Sequence, residues 1–426
     1  MSEPRVYIMT PVYNGEAYLR ECIESVLAQT YSNWIYTIVN NCSTDRTREI
    51  AEEYSARDRR IRVVNNASFL RLIENHNRAY SLIPSDSKYC KPLMADDWIF
   101  PECLSEMVRV AEDYPSIGLV CILAFDGRDV VWQAPPEPGP LISGRDICRA
   151  WLLGGRHVIG SPTTQLIRAD LIRKRPQFNS PFNLHADFES CLDILQESDF
   201  GFVHRVLAFN RVHQRSMTSQ VEAFETILLG DLIASLKFGP VFLTPEENSE
   251  RLASVFARYY KVLAKNLVRR RGRQFWRLHR RKLHALGYSL ETTKLTKALT
   301  RELLCRFRVY LATKNITAHI PEGDSFILVD QEEWKSEDYV AGRRRVPFLE
   351  RDGRYWGTPA DDATAIRELE RLREGGARYM VFAWPAFWWL AYYAGLQRHL
   401  DSEYECVLKN NTIVVFNLQK SAAKVH

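Results

Sequence analysis

Nothing at the start of this chain reads as a targeting segment. Met1-Ser2-Glu3-Pro4-Arg5 runs straight into an apolar stretch, with no basic n-region, apolar h-region or small-residue cleavage site, so the expectation is a cytosolic protein. Paired cysteine patterns are also missing. The nine cysteines, at 22, 42, 90, 103, 121, 148, 191, 305 and 406, are odd in number and scattered, with no C-x-x-C, which excludes a disulfide framework and a zinc ribbon. Reduced, mostly buried thiols are expected. Charge-free runs of spanning length are absent but for one, Tyr379 to Gln397, nineteen residues between Arg378 and Arg398. Pro385 interrupts it, its first half favours strand, and its second half carries apolar residues at helical spacing with two tyrosines and a glutamine. A buried strand, a turn at Pro385 and an amphipathic helix are therefore expected, not a membrane span. Internal repeats and low-complexity tracts are lacking as well.

What is present is a composition able to bury a large core. With 426 residues, 46% hydrophobic, 12% aromatic and 26% charged, the chain fits two or three globular domains, which excludes disorder as its main state. The net charge of +5 is unevenly placed. Residues 251–310 hold 17 Lys/Arg against Glu291 and Glu302, a local +15 that leaves about −10 for the remainder.

Over the first 125 residues strand and helix signals alternate. Val6–Met9 is a short apolar run. Leu19, Cys22, Ile23, Val26 and Leu27 follow the spacing of one buried helix face, Trp34–Val39 reads as a strand, and Ser43 reads as the cap of the helix bearing Ile50, Ala51 and Tyr54. A strand at Ile61–Val64, a helix over 75–83, a strand ending near Leu93, a helix after Pro101 and a strand at Ile117–Leu123 complete the series. Such alternation implies a mostly parallel sheet covered on both faces, with ligands bound beyond the strand C-termini, near residues 10–14, 40–45 and 93–97. After the proline-rich loop 135–140, mixed elements run to about residue 240, and residues 246–318 look helical and basic. A second α/β pattern follows: strand 326–330, helix 363–374, the strand and helix around Pro385, and strands 404–408 and 412–418.

Three polar clusters fall at the expected strand ends: Thr10-Pro11-Val12-Tyr13-Asn14-Gly15-Glu16, Asn40-Asn41-Cys42-Ser43-Thr44-Asp45, and Met94-Ala95-Asp96-Asp97-Trp98. Adjacent carboxylates with amides and an aromatic on neighbouring strands suit a nucleotide diphosphate and a divalent cation. Each alone also has a plain alternative, a turn for Asn40-Asn41 and a helix cap for Asp96-Asp97.

Taken in order, Pro11-x-Tyr13-Asn14, Asn41-Cys42-Ser43-Thr44-Asp45 and Asp96-Asp97 before Pro101 resemble the nucleotide-sugar half of the family 2 glycosyltransferases, which have the GT-A fold. His185-Ala186-Asp187-Phe188-Glu189 resembles the region supplying that family's general base, and Asn210-Arg211-Val212-His213-Gln214-Arg215-Ser216 resembles its closing R-x-H-x-x-S segment. The resemblance covers roughly residues 5–220. It implies inverting transfer from a nucleotide-sugar donor, with a divalent cation, Mg or Mn, on the diphosphate. Pro11 and Asn14 would belong to the nucleotide-sugar site, in which Tyr13, Asn40 and Asn41 would surround base and ribose; Asp96 would approach ribose or metal; Asp97 would hold the metal, and His213 would reach the metal or diphosphate. Asp187 would take the acceptor proton, and Arg211 and Arg215 would add positive charge near the leaving group. Two departures stand out. Asn40 occupies a position where the family usually has an acid, and Met94, which cannot bind a hard cation through oxygen, stands first in the D-x-D position. Both favour a second reading, a nucleotide-sugar or glycan-binding protein that has lost turnover.

The basic stretch 267–282 interleaves Phe275, Trp276, Leu278 and Leu283 with arginines, the pattern of a helix with one apolar and one basic face. A solvated or domain-docking face comes first among its uses and an acidic membrane surface second, since a lipid-linked or glycan acceptor would bring the protein peripherally to the inner face of the membrane. Nucleic acid ranks last, because no recognition motif accompanies the charge. The C-terminal part resembles an accessory domain of bacterial sugar transferases and methyltransferases, its glycine pairs making no phosphate loop. Its aromatics Trp388, Trp389, Tyr392 and Tyr393, at helical spacing, fit a core better than a sugar platform. The expected architecture is thus a Rossmann-like GT-A nucleotide-sugar domain over 1–245, a helical connector over 246–318, and a second small α/β domain over 319–426.

Overall fold

The computed structural model describes residues 3–136, 139–213, 224–331, 334 and 340–419. The chain forms two units, residues 1–291 and 292–426, and the division falls inside the helical stretch that follows residue 245.

The first unit opens with β1 (Arg5–Val12), α1 (Leu19–Leu27), β2 (Trp34–Asn40), α2 (Thr47–Arg57), β3 (Ile61–Asn65), α3 (Leu72–Tyr80) and β4 (Ser87–Pro92). Seven of the eight residues of β1 are buried, because a central parallel strand has helices on both faces and so reads as a continuous apolar run. Val6 and Ile8 pack with Leu19, Ile23 and Val26 of α1, while Tyr7 and Met9 pack on the opposite face with Ala79 and Tyr80 of α3. The strands β3-β2-β1-β4 are all parallel, with Val12 opposite Asn40 and Met9 opposite Pro92. In that order the chain leaves β1 toward β2 and later returns to its other side as β4. The crevice beyond Val12 and Pro92 is therefore a topological switch point.

The sheet continues through β5 (Trp98–Ile99), α4 (Cys103–Asp113), β6 (Ile117–Phe125), β7 (Val130–Val131), β8 (Leu141–Ile142), α5 (Gly144–Leu152), a 3-10 turn at Pro162–Thr164, β9 (Gln165–Arg168), α6 (Ala169–Arg173), α7 (Ala186–Ile194) and β10 (Asp199–Phe209). This half departs from the expected parallel sheet. β9 runs antiparallel between β4 and β6, and β5 runs antiparallel to β10, so the sheet is mixed. β9 has only four residues, too few for a periodic signal to announce it. Helices α8 (Thr226–Phe242), α9 (Pro245–Val268) and α10 (Arg273–Ala285) close the unit. α9 starts at a capping box in which Thr244 and Glu247 satisfy each other's backbone N–H, with Pro245 at the first helical position. α10 buries Phe275, His279 and Leu283 and leaves Arg273, Arg277, Arg280 and Arg281 exposed.

The second unit comprises α11 (Thr292–His319), β11 (Ser325–Val329), β12 (Arg344–Pro347), β13 (Glu350–Arg351), β14 (Arg354–Tyr355), α12 (Asp362–Glu374), β15 (Tyr379–Ala383), α13 (Trp388–Tyr392), α14 (Ala394–Glu403), β16 (Glu405–Lys409) and β17 (Ile413–Asn417). Its sheet order is β12-β11-β15-β17-β16, with β12, β11 and β15 parallel. The charge-free run is the expected strand, 3-10 turn and helices, and no helix among the described residues is long and apolar enough to cross a membrane.

Candidate functional site

The loops after β1 and β2 hold each other. Asn14, at φ 51°, donates its N–H to Ser43 Oγ at 2.9 Å and accepts from Thr44 N at 2.8 Å; Gly15 N–H reaches Thr47 Oγ1 at 2.7 Å and Glu16 N–H reaches Asp45 Oδ2 at 3.1 Å. A Cβ at Gly15 would lie 2.6 Å from Val12 Cγ2, so only glycine fits there. This corrects the reading of Ser43 as a helix cap. α2 begins four residues later, Asp45 Oδ1 accepts Thr47 N–H at 3.0 Å, and Ser43 serves the neighbouring loop instead.

Asn40 and Asn41 belong to the same scaffold. Each is 3% exposed. Asn40 donates to Asn65 Oδ1 and accepts Ser43 N–H, while Asn41 donates to Leu70 O and accepts from Leu70 N–H and Asn66. Their amides thus tie together the loops at the end of β2 and after β3. Pro11 is buried within β1. Tyr13, by contrast, is half exposed, and Phe69, from the loop after β3, meets it edge-on at 5.0 Å. Phe69 was not singled out from the sequence, although an exposed aromatic just past a strand end is a usable signal.

Across the switch point, Asp96 and Asp97 differ sharply. Asp97 is buried and its carboxylate is fully engaged: Oδ2 accepts from Thr163 Oγ1 at 2.5 Å and Asn210 Nδ2 at 2.8 Å, and Oδ1 accepts the Arg211 N–H at 2.8 Å. Burial, with Asp96 adjacent, pushes its pKa up to about 6. Beneath it lies Lys91, fully buried and held to the carbonyl of Thr163, with its pKa lowered by burial; nothing in the sequence pattern marked it. Asp96 faces outward, its side chain one-third exposed, and Oδ2 lies 3.0 Å from His213 Nε2. Tyr18 backs the His213 ring at 5.2 Å. Arg211 lies over Tyr18, donates Nε–H to the Asp96 carbonyl at 3.0 Å and pairs with Glu21. Among the described residues no three His, Cys, Asp or Glu side chains gather as a metal site, so Asp96 and His213 are the pair at this rim that could share a cation with a ligand. Arg215 and Ser216 lie outside the described residues.

Asp187 stands in the first turn of α7, where burial raises its pKa against the pull of the Phe188 backbone N–H and of His185. It belongs to a wall of aromatic and polar groups. Trp132 donates to Asn210 Oδ1 at 3.0 Å and approaches His157 at 5.7 Å; His157 meets Phe188 at 4.7 Å, and Phe188 meets Trp151 at 4.6 Å. This chain of contacts leads from Asn210, which holds Asp97, to a cavity of about 620 Å³ lined by His185 and Phe188, the residues on either side of the Ala186-Asp187 pair, and not by Asp187 itself. Trp151, His157, His185, Glu189, Asp231 and Arg251 are among its lining residues. Of its charged groups, Asp231 pairs with Arg251 and Arg258, Glu189 is bound by Lys237 and Asn183, and Glu225 accepts a hydrogen bond from Asn266.

Residues 7–175 match the model of the family described as glycosyl transferase family 2. The chain is 32% identical over 159 residues to the glycosyltransferase EpsE of Bacillus subtilis, covering 36% of this chain and 56% of that protein. It is 44% identical over 62 residues to the teichuronic acid biosynthesis glycosyltransferase TuaG of the same organism, covering 15% of this chain and 25% of the other. The match thus spans little more than half of the one relative and a quarter of the other. Among solved structures, Staphylococcus aureus TarS 1-349 aligns with a TM-score of 0.46 at 17% identity, over 62% of this chain and 73% of that one.

Proposed function

We propose, for a chain whose residues 7–175 belong to glycosyl transferase family 2, that the first unit moves a sugar from a nucleotide-sugar donor to a hydroxyl of a glycan or lipid-linked acceptor, with inversion, in the building of a bacterial surface polysaccharide. The surface-polymer context is supported by the likeness to TuaG. The observation that carries the reading is the Asp96–His213 pair, 3.0 Å apart at the switch point, beside an Asp97 whose three hydrogen bonds fix the turn.

Tyr13 and Phe69 flank the nucleotide base, and Asn14, Asn40 and Asn41 keep their loops in place. Asp96 and His213, a carboxylate oxygen and an imidazole nitrogen, would hold a divalent cation whose remaining ligands come from the donor diphosphate. Bound there, such a cation offsets the charge that develops on the leaving group. This reading gives the role to Asp96 with His213, while Asp97, whose carboxylate already accepts three hydrogen bonds, positions Asp96 and the Arg211 backbone. Met94 is then no obstacle, since its backbone alone is used, donating to Thr163 Oγ1 and accepting from Asp97 N–H. The Asp187 carboxylate takes the proton of the acceptor hydroxyl as the new C–O bond forms and the bond to the diphosphate breaks. Its raised pKa suits a base that must accept that proton. The aromatic-lined cavity near it receives the acceptor sugar. The exposed arginines of α10 support a charge-driven contact with acidic lipid headgroups on the membrane face where a lipid-linked acceptor would lie.

Calorimetric titration with UDP-, GDP-, dTDP- and CMP-sugars, with and without Mn²⁺, tests the reading. One donor should bind the wild type in a metal-dependent way, and Asp96→Asn and His213→Ala should each weaken that binding about tenfold or more, as for loss of a metal ligand or its close support. Donor binding untouched by metal and by both substitutions would overturn the assignment of the rim. Binding without turnover on any acceptor would favour the alternative, a binding protein with a degenerate site.

A further inference from the structure

The second unit has a switch point of its own. In the order β12-β11-β15 the chain leaves β11 toward β12 and then crosses, through α12, to the far side of β11 as β15. In open parallel sheets the crevice outside the carboxyl ends of such strands is where ligands sit. Here it lies beyond Val329 and Ala383. No glycine-rich sequence follows β11, which runs into Asp330-Gln331, so the sequence offers no phosphate loop there.

The crevice carries aromatics instead. Of the four rings that the sequence places in a core, two behave as expected: Trp389 is 0% exposed and Tyr393 4%. The other two do not. Trp388 is 43% exposed and Tyr392 71%, because residues four apart share a helix face and α13 turns this one to solvent. Their rings lie 5.6 Å apart at 70°. Trp388 Nε1–H points to Gln331 Oε1 at 3.4 Å, which brings a side-chain amide from the end of β11 against the ring. Tyr393 donates its hydroxyl to Pro359 O at 2.8 Å, tying in the segment that begins with Trp356, itself 66% exposed. Two large aromatics left in water beyond the end of β15 form a patch, and patches of this kind mark recognition surfaces. Rings whose faces are apolar, next to an amide that can both donate and accept, match the two sides of a pyranose, its C–H face and its hydroxyl rim.

We propose that this end of the second unit's sheet is a glycan-binding site in which Trp388 and Tyr392 stack against sugar rings and Gln331 bonds to their hydroxyls. It goes beyond the transfer reading and does not depend on it, since its residues and its switch point belong to the second unit alone.

Affinity electrophoresis of the full chain in native gels containing dextran, mixed-linkage β-glucan, xyloglucan or polygalacturonate tests it. Wild type should be retarded by at least one of these polymers. Trp388→Ala and Tyr392→Ala should each weaken the interaction about fivefold, and the double variant should migrate as in a polymer-free gel. Trp151→Ala, in the first unit, should remain retarded. Should the double variant lose its fold, Tyr392→Ala alone, at the most exposed of the positions, carries the test. Wild type unretarded by all four polymers overturns the proposal. So does retardation that survives in the double variant, or that Trp151→Ala abolishes while Trp388→Ala leaves it intact.

Discussion

The rim at Asp96 and the pocket lined by His185 and Phe188 are assembled by different means. At the rim, short loops leave neighbouring strands and are locked by bonds between side chains and backbone: Asn14 to Thr44, Gly15 to Thr47, Asp97 to Arg211. Such bonds fix the loops at the moment the strands pair, so the site is in place before any ligand arrives. The pocket is walled by helices and by ion pairs between distant segments, Arg251 to Asp231 and Lys237 to Glu189. A wall of that kind changes shape by exchanging a few side chains on α8 and α9, with the sheet untouched. On the proposed reading the rim would hold the activated donor, a reactant shared by many transferases, and the pocket the acceptor, which differs between them.

The strongest way to break this comparison is at Asp187. If the pocket side supplies the base and the rim supplies only donor binding, Asp187→Asn should lower kcat by about 10²- to 10⁴-fold while the donor dissociation constant stays within a factor of about two. The amide is isosteric but cannot accept the proton. Steady-state transfer assays paired with donor calorimetry read both quantities, and a variant that loses donor binding as well would move Asp187 to the rim.

Asp97 sharpens the comparison from the other side, because a positioning carboxylate should register in stability. Its folded pKa of about 6 lies above the ordinary 3.8, so the folded chain holds that proton more tightly than the unfolded chain does. The stabilisation is present in full below about pH 4 and is lost as pH rises through about 6, a swing on the order of 3 kcal/mol. Urea unfolding in metal-free buffer across that window should show the falling slope in wild type, and Asp97→Asn should flatten it. An identical slope in the variant would mean that Asp97 ionises as freely in the fold as outside it.

The rim was largely legible in the sequence and the pocket was not, for the same structural reason. Strand-end loops are contiguous, so Tyr13-Asn14, Asn40 through Asp45 and Asp96-Asp97 each read as a cluster. Their side-chain roles were harder. Asn40, Asn41 and Asp97 stand in the expected clusters, but the hydrogen bonds they make are set by neighbours far along the chain: Asn65, Leu70, Thr163 and Asn210. The pocket draws on residues near 151, 185, 231 and 251, four segments of which only the one at 185–189 carries a motif. Asp187 was legible only through the order of motifs around it. In the second unit, helical spacing correctly grouped Trp388, Trp389, Tyr392 and Tyr393, but spacing alone does not say which face meets the sheet.

The smallest expected effect comes from the aromatic lip of the rim. Tyr13 is half exposed and touches Phe69, 60% exposed, edge-on at 5.0 Å, so neither ring is held in a core and truncating either should leave the fold intact. Stacking of a base on an aromatic ring contributes roughly 1–3 kcal/mol, and a half-exposed ring such as Tyr13 is placed near the lower end. Tyr13→Ala should therefore raise the donor dissociation constant about tenfold with kcat almost unchanged at saturating donor. The base binds equally in ground and transition states, and loss of uniform binding appears in KM alone. Phe69→Ala should do the same to a lesser degree. A fall in kcat with Tyr13→Ala would show that the ring also orders the Asn14 turn against Thr44. The rim would then share the pocket's dependence on side-chain packing, and the contrast between the two halves of the site would narrow.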